Sequence, residues 1–285
     1  MTGRPRRRLV LSTRYLFRRL LRTLEIETVC DVGSMDGSDA LLFRRVLPRA
    51  RIFALEANPR NFALMEADEN LRRSSIRIFP LAASDRDSQA PFFVARADYR
   101  RGRGLRRGMS SLHKRTDESL LAEVVQVRTV RLDSLLAAES LVDRPVALWI
   151  DAEGMAFEVI CGAAGSLRFA RMLHVEVEIE PIIGTDQKLF ADVERVLAAA
   201  GFAVLATDQA RESLQFNVLF VRTDLLRAKA REIWFWAMVA RARHAVGDAV
   251  SLLVPLRLAG MLGMTWLLAR HQITRAKHIP GSRGC

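Results

Sequence analysis

The stretch "VCDVGSMDGSDA", Val29 to Ala40, gathers groups that can do chemistry directly behind an apolar run. Asp31 and Asp36 bring charge, Ser34 and Ser38 bring hydroxyls, and Gly33 and Gly37 bring backbone freedom. A glycine at Gly33 can turn at positive φ and sets no side chain against an approaching ligand. Gly37 opens a helix whose first amides lack intrahelical partners and can face a ligand. Three further polar groups stand behind apolar runs: Glu56, Ala57 and Asn58 in "LEAN"; Ala83, Ser84 and Asp85 in "LAASD"; Asp151 and Glu153 in "IDAEG". Carboxylates in such places can accept hydrogen bonds from hydroxyls, balance a cation or take a proton. Glu56 follows Asp31 at roughly the twenty-residue spacing at which an acid meets ribose hydroxyls in dinucleotide folds. The G-x-G-x-x-G fingerprint is absent, however, and Asp31 and Asp36 would repel a pyrophosphate. An acidic, glycine-bearing loop suits a ligand that carries an ammonium and a cationic sulfur.

Two histidines and one more acid enter the candidate set. His113, in a basic loop, can exchange a proton near neutral pH, and the alternative is a solvated side chain. His174 stands inside an alternating strand and reads as a core histidine. Glu176, two residues on, is a carboxylate of the same strand. No Cys or His cluster has metal-ligand spacing, and no metal is expected.

Positioning these groups requires strands that end together. "TVCDVGS", "RIFALEA", "SIRIFPLAA", a short "APFFVA", "VVQVRTVRL", "VALWIDAE" and "LHVEVEIE" read as strands, and "FAVLATD" with "LQFNVLFVR" as a closing antiparallel pair. Between them "SDALLFRRVL", "NPRNFALMEADENLRR" (Asn cap, Pro59 in the first turn), "DSLLAA" and "TDQKLFADVERVLAAAG" (Gly201 as stop) read as helices. Alternation of this kind predicts an α/β fold, a doubly wound, mostly parallel sheet with helices on both faces. Ligands of such sheets bind at the carboxyl ends of the strands, where the four polar groups would meet.

The 285 residues are 50% hydrophobic and 27% charged, which excludes global disorder and allows one large core. A net charge of +12 suggests an anionic partner. No acid precedes Glu25, and a second basic cluster runs from Tyr99 to Arg107. Residues 1–25 read as a basic amphipathic helix, solvated or lying on a membrane. Residues 26–224 read as the catalytic domain and 225–285 as an apolar, basic helical tail. Its run Ala249–Ala269 could span a bilayer by length, although Pro255 and Arg257 interrupt it. Trp234, Trp236 and Trp266 would serve as interfacial anchors. Peripheral membrane contact, packing on the domain and a true span are the three readings, in that order. Cys30, Cys161 and Cys285 are far apart, which argues against a disulfide framework and for a cytoplasmic protein, peripheral on the membrane face in the first reading. The basic loop lacks the interleaved aromatics of a single-strand nucleic-acid platform.

The segments "DVGSMDGSDA", "ALEANPRNFALM", "PLAASD", "SSL" (Ser110 to Leu112), "RTVRLDSLL" and "LWIDAEGMAFEVICGA", in that order from about Thr28 to Arg222, resemble the FkbM family of class I S-adenosylmethionine-dependent methyltransferases. Met35 departs from the small polar residue usual there. The resemblance implies a seven-stranded Rossmann-like sheet, S-adenosyl-L-methionine as cofactor, and O-methylation of a sugar, lipid-linked glycan or secondary-metabolite hydroxyl. Nucleic-acid methylation, or cofactor binding without turnover, is the alternative. Expected cofactor contacts are Asp31, Gly33, Ser34, Asp36, Gly37, Ser38, Glu56, Ala57, Asn58, Ala83, Ser84, Asp85 and Asp151. Expected catalytic groups are Asp151, Glu153, His113 and Glu176, the last placed near the acceptor by the resemblance.

Overall fold

The computed structural model describes residues 11–96, 106–117, 119, 121–141, 143–210 and 212–246. Seven strands form the main sheet: β1 (Thr28–Val32), β2 (Arg51–Leu55), β3 (Arg77–Phe79), β7 (Val146–Ile150), β8 (Ala170–Glu178), β9 (Phe202–Thr207) and β10 (Gln215–Arg222). Their order is β3-β2-β1-β7-β8-β10-β9, with β10 antiparallel to both neighbours and the other pairs parallel. The expected sheet is therefore present. Strand order reverses at β1 and β7, and both are buried along their whole length, as central parallel strands must be.

The remaining strands, β4 (Leu81–Ala83), β5 (Ser88–Ala95) and β6 (Leu121–Val130), form a separate three-stranded sheet in the order β4-β6-β5. The run "SIRIFPLAA" is thus two strands in two sheets. Pro80, which has no amide to donate, stands at the break. The run from Asn58 to Arg73 is likewise two helices, α3 (Pro59–Ala67) and α4 (Glu69–Arg73). Extended backbone at Asp68 ends the first, and its carboxylate caps the second through the amides of Asn70 and Leu71.

Helices α5 (Leu132–Ala138), α6 (Ala156–Gly162) and α7 (Phe190–Ala199) cover one face of the sheet, where Leu148, Ile150, Val159, Leu173, Val175 and Val193 share a core. Helix α7 starts later than the apolar spacing suggested, with residues 185–189 outside it. Gly201 follows it at φ +88°, the left-handed stop expected of a glycine there.

The other face is covered by α1 (Thr13–Thr23), α2 (Ser38–Val46) and α9 (Ala230–Val246), with α8 (Thr223–Ala228) leading into the last. The apolar face of the N-terminal helix is therefore covered by the domain and not by lipid, while its arginine face stays outward. Leu16, Phe17, Leu20 and Leu21 of α1 are fully buried, together with Trp149, Phe43, Ile233, Ala237 and Ala240. Burying such side chains is worth about 1.5–3 kcal/mol each, enough to hold an amphipathic helix on the domain. The first part of the apolar tail, through α9, also packs on the domain. No described helix is long and apolar enough to cross a membrane. The run Ala249–Ala269, with Pro255, Arg257 and Trp266, lies outside the described residues, as does most of the basic cluster Tyr99–Arg107.

Candidate active site

The loop after β1 is shaped by backbone contacts as much as by any ligand. Gly33 has φ +81°, and a Cβ there would stand 1.9 Å from the carbonyl oxygen of Asp151. The close approach expected of a ligand is therefore made by the end of β7. Gly37 has φ +76° at the start of α2, against the Leu71 side chain. Asp36 is exposed, and its carboxylate accepts the amide of Ser38 at 2.9 Å, steadying the helix start. Met35 takes φ +56°, a conformation that costs any non-glycine residue and suits asparagine better. That conformation turns the Met35 amide onto Glu56.

Glu56, at the end of β2, is 6% exposed. One carboxylate oxygen accepts the Met35 amide at 2.7 Å and the other accepts the Asn58 amide at 2.7 Å. Burial pushes this carboxyl up to about 7 against the opposing pull of those amides. The Asn61 side chain also hydrogen-bonds this carboxyl, so of the four acceptor sites of a carboxylate about one is left for a ligand hydroxyl. Ala57 lies beside it. Asn58 caps α3 through the Arg60 amide and donates Nδ2–H to Ser110 Oγ.

Asp31 is 1% exposed, and the Ser34 hydroxyl donates to its carboxylate at 2.7 Å. Burial drives it up to about 8. At the end of β4, Ala83 and Ser84 are buried, and the Ser84 carbonyl packs where a Cβ on Gly162 would stand, 1.9 Å away. Asp85 pairs with Arg86 at 3.0 Å.

Opposite this loop stands a group of acids from the segment after β7 and from β8. Alternation along β8 sends Leu173, Val175 and Val177 into one core and His174, Glu176 and Glu178 to the other face. Glu176 shares a hydrogen bond with Asp151, which follows β7. Burial first, and then the carboxylates of Asp151, Glu153 and Glu178, hold Glu176 far above the usual range. The two carboxyls therefore hold a proton between them more readily than isolated acids do. The Gln215 amide nitrogen, from β10, lies 3.2 Å from Glu153, 2.9 Å from Glu176 and 3.0 Å from Glu178. Arg115 also donates to Glu153 at 2.9 Å and Gln187 to Glu178 at 2.5 Å, so the acids share several donors. Glu178 is 2% exposed, and burial pushes it up to about 7. Arg115 pairs with Glu153 at 2.9 Å, so Glu153 does not cap α6. No metal was expected from the sequence, yet oxygens of Glu153, Glu176 and Glu178 lie within 4.8 Å of one another.

The "SSL" segment fastens β5 to the loop after β7. Ser111 exchanges backbone hydrogen bonds with Phe93 and donates its hydroxyl to the Glu153 carbonyl at 2.6 Å. His113 is clamped between Gly154 and Gly184, where a Cβ would stand 3.3 Å and 2.8 Å from it. Burial lowers its pKa, the Gly154 backbone engages the ring, and Nε2 is buried with no partner among the described residues. A neutral imidazole with a free nitrogen can accept a proton. His174 is the core histidine the strand pattern suggested. It stacks on Trp149 at 3.6 Å, its Nε2 meets Thr13 Oγ1 at 3.0 Å, and burial drives it down to about 3.

The structure thus brings Asp151, Glu153 and Glu176 together and sets Glu56 and Asp31 at neighbouring strand ends. Sequence reasoning missed Glu178, Gln215 and Arg115. The alternation "HVEVEIE" already put Glu178 on the face of Glu176. The register that sets Gln215 opposite Glu178 is a long-range pairing with no local signal.

The "2-O-methyltransferase NoeI" of Sinorhizobium fredii (strain NBRC 101917 / NGR234) is 28% identical over 171 residues, 57% of this chain. The chain spans 65% of the length of that curated relative. Among solved structures, an O-methyltransferase from Bacillus cereus in complex with SAH aligns with a TM-score of 0.42 at 15% identity, covering 75% of this chain and 82% of that one. A precorrin-6y C5,15-methyltransferase from Geobacter metallireducens GS-15 aligns with a TM-score of 0.40 at 13% identity, covering 77% and 92%. The family model described as "Methyltransferase FkbM domain" matches residues 31–204, more than half of the chain, and the protein belongs to the FkbM methyltransferase family.

Proposed function

We propose that the protein transfers a methyl group from S-adenosyl-L-methionine to a hydroxyl of a small-molecule or glycan acceptor. The observation that carries this reading is Glu56. It is a buried carboxylate that fixes the glycine-bearing loop through Met35 and keeps an acceptor site for a ribose hydroxyl. Ser84 and Asp85 would border the adenine, and the loop from Gly33 to Ser38 with the Asp151 end of β7 would hold the amino-acid part. Asp31, enclosed by Ser34, would brace the loop and give up its proton when the ammonium arrives, pairing with it as a carboxylate. The acidic donor set fits a cationic cofactor and disfavours a pyrophosphate. When bound, the cofactor supplies an electrophilic methyl on a positive sulfur.

The chain's own residues would then orient the acceptor and take its proton. His113 suits the second task, being neutral with a free Nε2. Asp151 and Glu176, hydrogen-bonded to each other, with Glu153, Glu178 and Gln215, would bind acceptor hydroxyls and hold them in line. Hydroxyl rather than carbon or nitrogen acceptors are supported by the similarity to a curated 2-O-methyltransferase. The test is methyl transfer from labelled cofactor to a panel of free and lipid-linked sugars. Incorporation into a base-stable ether supports the reading, and incorporation only into amines or nucleic acid overturns it.

A further inference from the structure

Helices α1 and α9 bury their apolar faces against the domain and against each other, so the polar face of the pair points outward. Together they carry seven arginines (Arg14, Arg18, Arg19, Arg22, Arg231, Arg241 and Arg243) and one acid, Glu232. The arginines are gathered around aromatic rings. Tyr15 lies under two guanidinium groups, Arg19 at 5.0 Å and Arg243 at 4.6 Å, and Arg19 also covers Trp236 at 4.8 Å. Among the described residues, only Arg14 of the group has a carboxylate partner, Asp39 on α2. Arg18 is half-buried and has no hydrogen bond or ion pair among the described residues. Burial and the neighbouring charges of Arg14, Arg19 and Arg243 lower its pKa.

The place of this cluster in the fold is informative. Thr13 donates to Asp208 just past β9, and Leu11 bonds the Thr207 carbonyl, so α1 begins at the carboxyl end of the sheet. Lys229 bonds the Thr23 carbonyl and Glu25, so α9 starts at the far end of α1 and climbs back. Arg14, Arg18 and Arg243 therefore gather at the end of the sheet that holds Asp151 and Glu176. The adjoining chain cannot neutralise them. Residues 1–10 contain four arginines and no acid, and residues 247–285 contain five basic residues and only Asp248 as an acid. The run Ala249–Ala269, three residues beyond α9, is apolar for most of its length.

We propose that the arginine face of α1 and α9 docks on an anionic phospholipid surface, presenting the carboxyl end of the sheet to acceptors held in that surface. Charge complementarity selects headgroup phosphates, the rings of Tyr15 and Trp236 suit the headgroup level, and the apolar sequence after α9 favours lipid over a free polyanion. The inference is independent of which acceptor is methylated.

The experiment is co-sedimentation of the full-length chain with phosphatidylcholine vesicles, with and without phosphatidylglycerol. Each arginine near an anionic surface strengthens binding about fivefold. Replacing three of them in Arg18→Gln/Arg19→Gln/Arg243→Gln should weaken binding to the anionic vesicles by about 10²-fold. The control Arg49→Gln/Arg51→Gln/Arg144→Gln removes the same charge at the amino end of the sheet and should retain most of the binding. Unchanged melting and S-adenosylhomocysteine binding show that both variants are folded. Equal loss in the two variants, equal binding to the uncharged vesicles, or no binding at all would overturn the proposal. So would displacement of the vesicles by single-stranded RNA, which would make the face a nucleic-acid surface.

Discussion

Replacing Asp31 by asparagine should make the cofactor-free protein more stable at alkaline pH and weaken its hold on the cofactor. Asp31 is enclosed in the fold, and its carboxyl is held at about 8 against an ordinary 3.8. A carboxyl raised in this way stabilises the fold fully below its unfolded pKa, and that contribution is lost as pH rises through the folded pKa. The window therefore runs from about pH 4 to about pH 8. The full difference corresponds to about 5–6 kcal/mol, and water entry on ionisation relaxes part of it, leaving about 2–5 kcal/mol. Asparagine does not titrate. Its amide nitrogen loses one good partner near Ser34, at a cost of about 1 kcal/mol at every pH. The melting curves of the two proteins should cross. The variant should melt slightly lower at pH 5 and higher at pH 8, with the wild type losing about 5–15 °C more across the interval. Differential scanning fluorimetry at half-unit pH steps measures this. Parallel curves for the two proteins would refute the claim that an enclosed, titrating Asp31 braces the loop.

Three further outcomes follow from the same geometry. Gly33→Ala combines positive-φ strain with a Cβ 1.9 Å from the Asp151 carbonyl. It should cost about 2–4 kcal/mol of stability, and a urea midpoint equal to that of wild type would show that the loop and β7 are not in contact. His113→Ala should lower turnover by about 10²–10⁴ while S-adenosylhomocysteine affinity stays constant. Because burial lowers the His113 pKa, wild-type turnover should fall only as pH drops below the ordinary histidine range. A rate within a few-fold of wild type at all pH values would return the proton to Asp151 or Glu153.

Most of the fold was legible because its signals are local. The apolar runs ending at Val32, Leu55 and Ile150 announce buried strands, and their polar successors converge because parallel strands end together. What the sequence concealed depends on partners distant in the chain. The amphipathic pattern of α1 identifies an apolar face but not what covers it, so Phe17 and Leu20 read equally well against lipid and against Trp149. The Gln215 side chain gains its meaning only when β10 lies beside β8. Gly33 reads as leaving room for a ligand, and no local pattern says that a backbone oxygen of Asp151 packs against it. The break at Asp68 was legible, since an Asp ahead of Glu69 and Asn70 is a helix-capping pattern, and the apolar spacing on either side obscured it.

The central claim, that the loop of Gly33 to Ser38 and Glu56 form a site for S-adenosyl-L-methionine, is tested most directly by isothermal titration of S-adenosylhomocysteine into wild type and Glu56→Ala. The account predicts one site per chain in the wild type and a loss of about 1–3 kcal/mol in the variant, from the hydroxyl hydrogen bond and the loosened Met35 and Asn58 amides. The same affinity in both proteins, or no binding to a folded wild type, would contradict it.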